Sequence, residues 1–192
     1  MTLSEHLDEF YKKYNIPANG GVNDKTFEVP VPYFTLTLPN FSWRKRALYV
    51  HDLEHILNEQ DTSWSGEMFI ASWEISTGFW KNLPVIIFPL WTMGWGLWKH
   101  PASVLRGFRA GNSQRGIANL EMEKDKLLSL DLDQLRQLMR LNPDSRPPFI
   151  FYMRLISWIL ISQLIFLLPL LLLFVLPLLL LFVLLVYFQI YV

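Results

Sequence analysis

His51-Asp52-Leu53-Glu54-His55, followed after an eleven-residue gap by Glu67, is the stretch on which the reading of this fold turns. The chain holds only four histidines, and two of them stand here, four apart. At about 100° per helical residue, His55 and Asp52 fall about 40° and 100° from His51, on one arc of a helix. Asp61-Thr62-Ser63 offers a turn, after which a returning antiparallel helix could carry Glu67 onto that face. Imidazoles and carboxylates that converge in this way suit a divalent metal ion.

Working outward, Asn40 or Ser42 can cap a helix running from residue 43 to about 59, with Leu48, His51, Asp52 and His55 on one side. Arg44-Lys45-Arg46 falls in its first turn, where the helix dipole disfavours cations. A solvated face accounts for that cluster, or else an anionic lipid headgroup or substrate carboxylate lies nearby. Ser63 or Ser65 can cap the next helix, which carries Glu67 and Glu74 on nearly the same side before Gly78 ends it. Glu74 could hydrogen-bond a ligand histidine from behind, or pair with a surface lysine.

The spacing His-Asp-x-x-His-x11-Glu resembles the metal-binding signature of the Coq4 family of ubiquinone-biosynthesis proteins. Residues Gly66-Glu67-Met68-Phe69-Ile70-Ala71-Ser72-Trp73-Glu74 look like that family's second motif helix. Leu105-Arg106-Gly107-Phe108-Arg109-Ala110-Gly111, leading to Leu132-Asp133-Gln134-Leu135-Arg136, is similar to a later stretch. The resemblance covers roughly residues 43–141. At a family's spacing, four ligand-type residues outweigh the plainer reading of a polar helix face with a hydrogen-bonded histidine.

The resemblance implies removal of the C1 carboxylate of a prenylated hydroxybenzoate, described for the family as an oxidative decarboxylation, and hence a carbon–carbon lyase. His51, Asp52, His55 and Glu67 would hold a zinc-like ion acting as a Lewis acid on phenol or carboxylate oxygens. With Glu67 a weak ligand, the remaining two-His-one-carboxylate set would suit iron. Membrane lipid, the prenylated quinone precursor and other quinone-biosynthesis proteins are the implied partners. Two competing classes stand beside this one: a non-catalytic binder of lipids or quinone intermediates that organises other enzymes, and a metal-dependent lipid hydrolase. The motif is not His-Glu-x-x-His, so no base sits where a zinc protease has one, and neither nucleotide-binding glycine loop occurs.

Composition narrows the setting. With 192 residues and an apolar fraction of 52%, the chain has more hydrophobic residues than one modest soluble domain needs. Residues 155–192 carry no charge, as a membrane segment would. Seventeen acidic and seventeen basic residues give no argument for a nucleic-acid partner. No cysteine is present, which excludes disulfides and thiolate chemistry and fits an intracellular setting. The first residues lack the pattern of a signal or transit peptide, so membrane targeting is expected from the C-terminal end.

Thr2-Leu3-Ser4-Glu5 has the form of a capping box, and Leu3, Leu7, Phe10, Tyr11 and Tyr14 recur at helical spacing. Phe27, Val29, Val31 and Phe34 then alternate with Pro30 and Pro32 between them, which predicts an extended arm or an edge strand. Residues 83–98 are uncharged and contain Trp91, Trp95 and Trp98. Lys81 and Lys99 bracket them, and Pro84, Pro89, Gly94 and Gly96 interrupt them. The segment is too short to span and reads as buried or interfacial, with Ile87, Trp91 and Trp95 expected either to line an isoprenoid groove or to pack as core. Arg106, Arg109 and Arg115 belong to an acid-free stretch expected to face anionic lipid. Asp131-Leu132-Asp133-Gln134 is another capping box, opening a last amphipathic helix that Asn142-Pro143 ends.

The fold class expected is therefore all-α: a compact helical metal-binding domain with an N-terminal extended arm and a C-terminal transmembrane segment. Its boundaries fall at 1–42 (helix and arm), 43–142 (helical domain), 143–148 (linker) and 149–192 (tail). One straight helix over the tail would be roughly 57 Å long, nearly twice the ~30 Å hydrocarbon core. Pro169 and Pro177 favour two short spans in a hairpin, with a single kinked span as the alternative. Arg140, Arg146 and Arg154 precede the tail, which puts the soluble domain on the cytoplasmic side, or the matrix side in an organelle.

Overall fold

The computed structural model describes residues 1–31, 34–78, 85–140 and 148–191, with 72% of the chain in helix and 8% in strand. Helix α1 (Leu3–Lys13) opens on its capping box: the Thr2 hydroxyl accepts from the Glu5 N–H, and the Glu5 carboxylate accepts from the Thr2 N–H at 2.7 Å. Strands β1 (Thr26–Val31) and β2 (Phe34–Pro39) follow, then α2 (Ser42–Leu57), α3 (Trp64–Thr77), α4 (Ile87–Lys99) and α5 (Pro101–Gly111). A 3-10 turn at Ile117–Leu120, α6 (Lys124–Leu128) and α7 (Leu132–Met139) complete the part before the tail.

The expected arm is instead a two-stranded antiparallel ribbon, with Thr26 opposite Pro39 and Val31 opposite Phe34. Both strands are edges, so the prolines at 30 and 39 interrupt no interior ladder. Pro32 lies outside the described residues. A second correction concerns the start of α2. Its N-cap position is Phe41, and no side chain caps it. Asn40 donates instead to the carbonyls of Gly21 and Asp24, and its own carbonyl oxygen accepts from Arg44.

Helix α3 is central because it is apolar nearly all round: ten of its fourteen residues are buried. One side, through Phe69, Ile70 and Trp73, shares a core with α1 and α2 and with Leu135 and Met139 of α7. The other side, through Met68 and Ile75, meets Leu90 and Met93 of α4, Val104 and Phe108 of α5, and Leu155. Contact between α3 and α5 is close because Gly107 has no Cβ; one placed there would meet the Phe69 carbonyl oxygen.

The tail is one helix, not a hairpin. Helix α8 (Pro148–Leu170), a π-helical turn at Leu171–Val175 and α9 (Leu176–Tyr191) run on without reversal. Within them Phe149–Gln189, 41 residues, is long and apolar enough to cross a membrane. Pro169 lies inside α8, directly before the widened turn that relieves its clash with the preceding carbonyl. Leu171–Val175 contains no polar or glycine residue that could satisfy the backbone of a reversal in lipid.

The tail also divides in two. Its first part packs on α4: Gly94 admits the Ser162 carbonyl where a Cβ would stand, and Gln163 donates to the Gly94 carbonyl at 2.8 Å. Arg154 donates to Asn112 Oδ1 and to the Ser76 carbonyl, each at 2.9 Å. Every residue from 168 to 189 is exposed. At 1.5 Å per residue that bare stretch is about 33 Å long, close to the ~30 Å hydrocarbon thickness. The length that suggested a hairpin is thus divided between a packed part and a bare part long enough to cross a membrane once. Asn142, the expected end of the domain, and the linker up to 147 lie outside the described residues, but the core does not stop before them, since Leu155 belongs to it.

Candidate metal centre

Ser63 caps α3, its hydroxyl accepting from the Gly66 N–H, and this sets Glu67 in the first turn, facing back onto α2. There Glu67 Oε2 is 3.4 Å from His51 Nε2, and Glu67 Oε1 is 3.4 Å from His55 Nε2. One ligand atom from each of the three residues lies within 4.8 Å of the others. Such separations are long for charge-assisted hydrogen bonds. They are close to the ~3.3 Å expected between two donors held about 2.0–2.1 Å from a tetrahedral zinc ion. His55 strengthens the fit: it is 1% exposed, and neither of its ring nitrogens has a hydrogen-bond partner. An ion held between the two helices would take the Nε2 of this buried imidazole. His51, His55 and Glu67 therefore suit a divalent ion.

Asp52 does not join them. Its carboxylate is buried and accepts from the Tyr11 hydroxyl at 2.8 Å. Burial raises the Asp52 pKa, partly offset by His51 and by that hydrogen bond, and burial beside Asp52 raises that of Tyr11. The 100° offset of Asp52 from His51 turns it towards α1 instead of α3. Tyr11 carried no sequence signal for this role, because its partner is 41 residues away.

Glu74 stands where the spacing predicted, with Oε1 3.2 Å from His51 Nδ1. With Nε2 turned to Glu67, Nδ1–H donates to Glu74, which fixes the ring and raises its basicity. Burial opposes the imidazolium, but pairing with Glu67 and Glu74 outweighs it and holds the His51 pKa well above its usual value. Burial likewise opposes ionisation of Glu67, and the two histidines reverse this and depress its pKa. Glu54 is the group the sequence reading missed. It is 1% exposed, and burial together with the neighbouring Glu74 carboxylate raises its pKa well above the usual value. Glu54 follows His51 by three residues on the same helix face, and that spacing was a readable signal.

The ligand groups open into a cavity of about 1460 Å³. Its walls include Phe27, Leu38, Ile87, Phe88 and Trp91, with Arg44 at one side. Ile87 and Trp91 line it, but Trp95 does not: it packs against Trp64 and Trp91, with ring centroids 5.0 and 5.3 Å away. Trp91 also touches Phe166 of α8, centroids 5.6 Å apart, so the cavity wall adjoins the tail just before its bare stretch begins. Arg106, Arg109 and Arg115 are exposed on or just after α5 and are not part of this cavity. No family model, curated protein or solved structure matches the chain significantly.

Proposed function

We propose that the protein is a membrane-anchored, metal-dependent enzyme acting on an amphiphile taken from the bilayer, and that its reaction is C1 decarboxylation of a prenylated hydroxybenzoate in ubiquinone biosynthesis. The observation that carries the first part is a single cavity that has His51, His55 and Glu67 at one end and, at the other, an aromatic wall adjoining the apolar helix. The choice of reaction rests on the Coq4-like spacing. Cleavage of the bond between C1 and the carboxylate releases carbon dioxide and leaves an electron pair on the ring. A proton takes up that pair, or, in the oxidative form, dioxygen accepts two electrons and leaves as hydrogen peroxide while water supplies the new C1 hydroxyl.

In this reading residues 168–189 cross the bilayer and the domain rests at its surface on the cytoplasmic or matrix side, with Arg140 and Arg154 before the span. His51, His55 and Glu67 hold the ion, zinc being the first choice for such donors and iron the alternative. When bound it supplies Lewis-acid stabilisation of negative charge on a ring oxygen. Glu74 orients His51, and Tyr11 keeps the Asp52 carboxylate out of the ligand set. The apolar walls exclude water from the ring and guide the isoprenoid chain towards lipid.

Purified full-length protein in nanodiscs, loaded with zinc or with ferrous iron and given a prenylated 4-hydroxybenzoate, should release carbon dioxide in one of the two preparations, and His51→Ala should abolish it. A protein that binds metal and the prenylated acid but releases none would be the organising binder.

A further inference from the structure

Arg44 is a half-buried cation with no acid to pair with. It stands seven residues before His51 on the same side of α2, about 10 Å along the helix axis, and lines the same cavity. Its guanidinium carbon lies 3.6 Å from the centre of the Phe27 ring, and Nη1 donates to Asn40 Oδ1 at 3.0 Å. Asn40 is itself buried and fixed by its two donations to the Gly21 and Asp24 carbonyls. The arginine is therefore held in place before any ligand arrives. Among the described residues it makes no ion pair, since those formed there involve His51, His55 and Arg136.

Nothing in the fold requires a cation here. The first turn of a helix repels positive charge, and burial weakens the guanidinium further, lowering its pKa. Asp52 favours the charged form from a distance, but its carboxylate is engaged by Tyr11. Lys25, also on the cavity wall, is exposed and stands beside Asp24 and Glu28, whereas Arg44 is half-buried and already fixed in place. A guanidinium has five N–H donors in a planar fork, matched to the two oxygens of a carboxylate. A single such group suits one negative charge better than a phosphate dianion.

We propose that Arg44 is the anion-reading residue of the cavity, holding the carboxylate of an aromatic amphiphile whose other polar end meets His51, His55 and Glu67 and whose hydrocarbon chain leaves past Phe88 and Trp91. The carboxylate as ligand rests on the function proposed above; the presence of an anion subsite does not. It is distinct from the three groups assigned to the metal.

The test compares two probes on full-length protein in phosphatidylcholine nanodiscs: a prenylated 4-hydroxybenzoate and the same prenylated phenol without its carboxylate. Wild-type protein should prefer the acid by about tenfold or more, as expected for a charge-assisted pair. Arg44→Met should remove that preference while leaving phenol affinity, metal content and helical circular dichroism unchanged, and Arg44→Lys should keep part of it. Should Arg44→Met lose its helicity, Arg44→Gln, which can still reach Asn40, serves in its place. His51→Ala should lower metal content and keep the preference for the acid. An unchanged preference in folded Arg44→Met, or its loss in His51→Ala alone, would place the carboxylate on the metal and overturn the proposal while sparing the metal site. An Arg44→Met protein that keeps its preference but binds phosphatidylglycerol vesicles less well would overturn it too, assigning Arg44 to lipid phosphates.

Discussion

The seam between α2 and α3 is polar and incompletely satisfied, whereas the seam between α4 and α8 is apolar and nearly closed. In the first, His55 has no hydrogen-bond partner at either nitrogen, and one oxygen of Glu54 is in the same state. In the second, Gln163 finds the Gly94 carbonyl, and among the described residues only the Ser162 hydroxyl is buried there without a partner. Unpaired buried polar atoms each cost about 1–3 kcal/mol. The second seam is thus held by its own packing, while the first carries that cost at His55 and Glu54.

That contrast is broken most severely by truncation. Ending the chain at residue 142 removes Leu155, Phe151 and Trp158 from the second core. Loss of even one large core side chain costs about 2–5 kcal/mol, so this fragment should aggregate or lose cooperative melting. A fragment ending at 168 should keep both, as followed by circular dichroism in mild detergent. The first seam answers to His55→Ala, which should lower zinc affinity by tenfold or more in a competitive chelator titration. Asp52→Asn should change it by less than about threefold, because Asp52 is outside the ligand set. Equal losses in both variants would return Asp52 to the metal.

Arg154→Met probes the contact of α8 with α3 and the end of α5. It leaves the Ser76 carbonyl without that donor and should cost about 2 kcal/mol in a denaturant melt, with metal content unchanged. The smallest effect is one of pH. Because His51 has a raised pKa in the folded, metal-free state, its pairing stabilises fully below about pH 6.5, the unfolded value, and is lost as pH rises through the folded value. Glu67, depressed, contributes above about pH 4.5 and loses that contribution as pH falls through its folded value. Metal-free protein should accordingly melt lower as pH is raised from about 6 to 9. Zinc should reverse the slope, since it binds the deprotonated ring.

The first seam was legible in the sequence to the extent that it is local. Two histidines four apart, the Ser63 cap and the left-handed Gly78 at the end of α3 are short-range facts, and all stand as read. Asp52 was misplaced because helical spacing gives a direction but not the neighbour that waits there, and Tyr11 comes from another helix. The second seam was misread for the opposite reason. Residues 155–192 look uniform in composition, so nothing in hydropathy separates the part that packs on Gly94 from the part left bare. Ser162, Gln163 and Arg154 were the available signs, since polar side chains at such positions need protein partners.

The place of Leu155 in the second core bears on the order in which the molecule can be completed. The chain emerges from its N-terminus, and the first core closes once α7 has been made, because Leu135 and Met139 pack with α1 and the Leu3 N–H donates to the Leu130 carbonyl. The ligand pair α2 and α3 is by then assembled on one flank only. Its other flank must wait for α8, whose continuation is the helix long and apolar enough to cross a membrane. Seating of the cavity's outer wall is in this way tied to the synthesis of α8, and a copy that stops short of that helix carries an unfinished half.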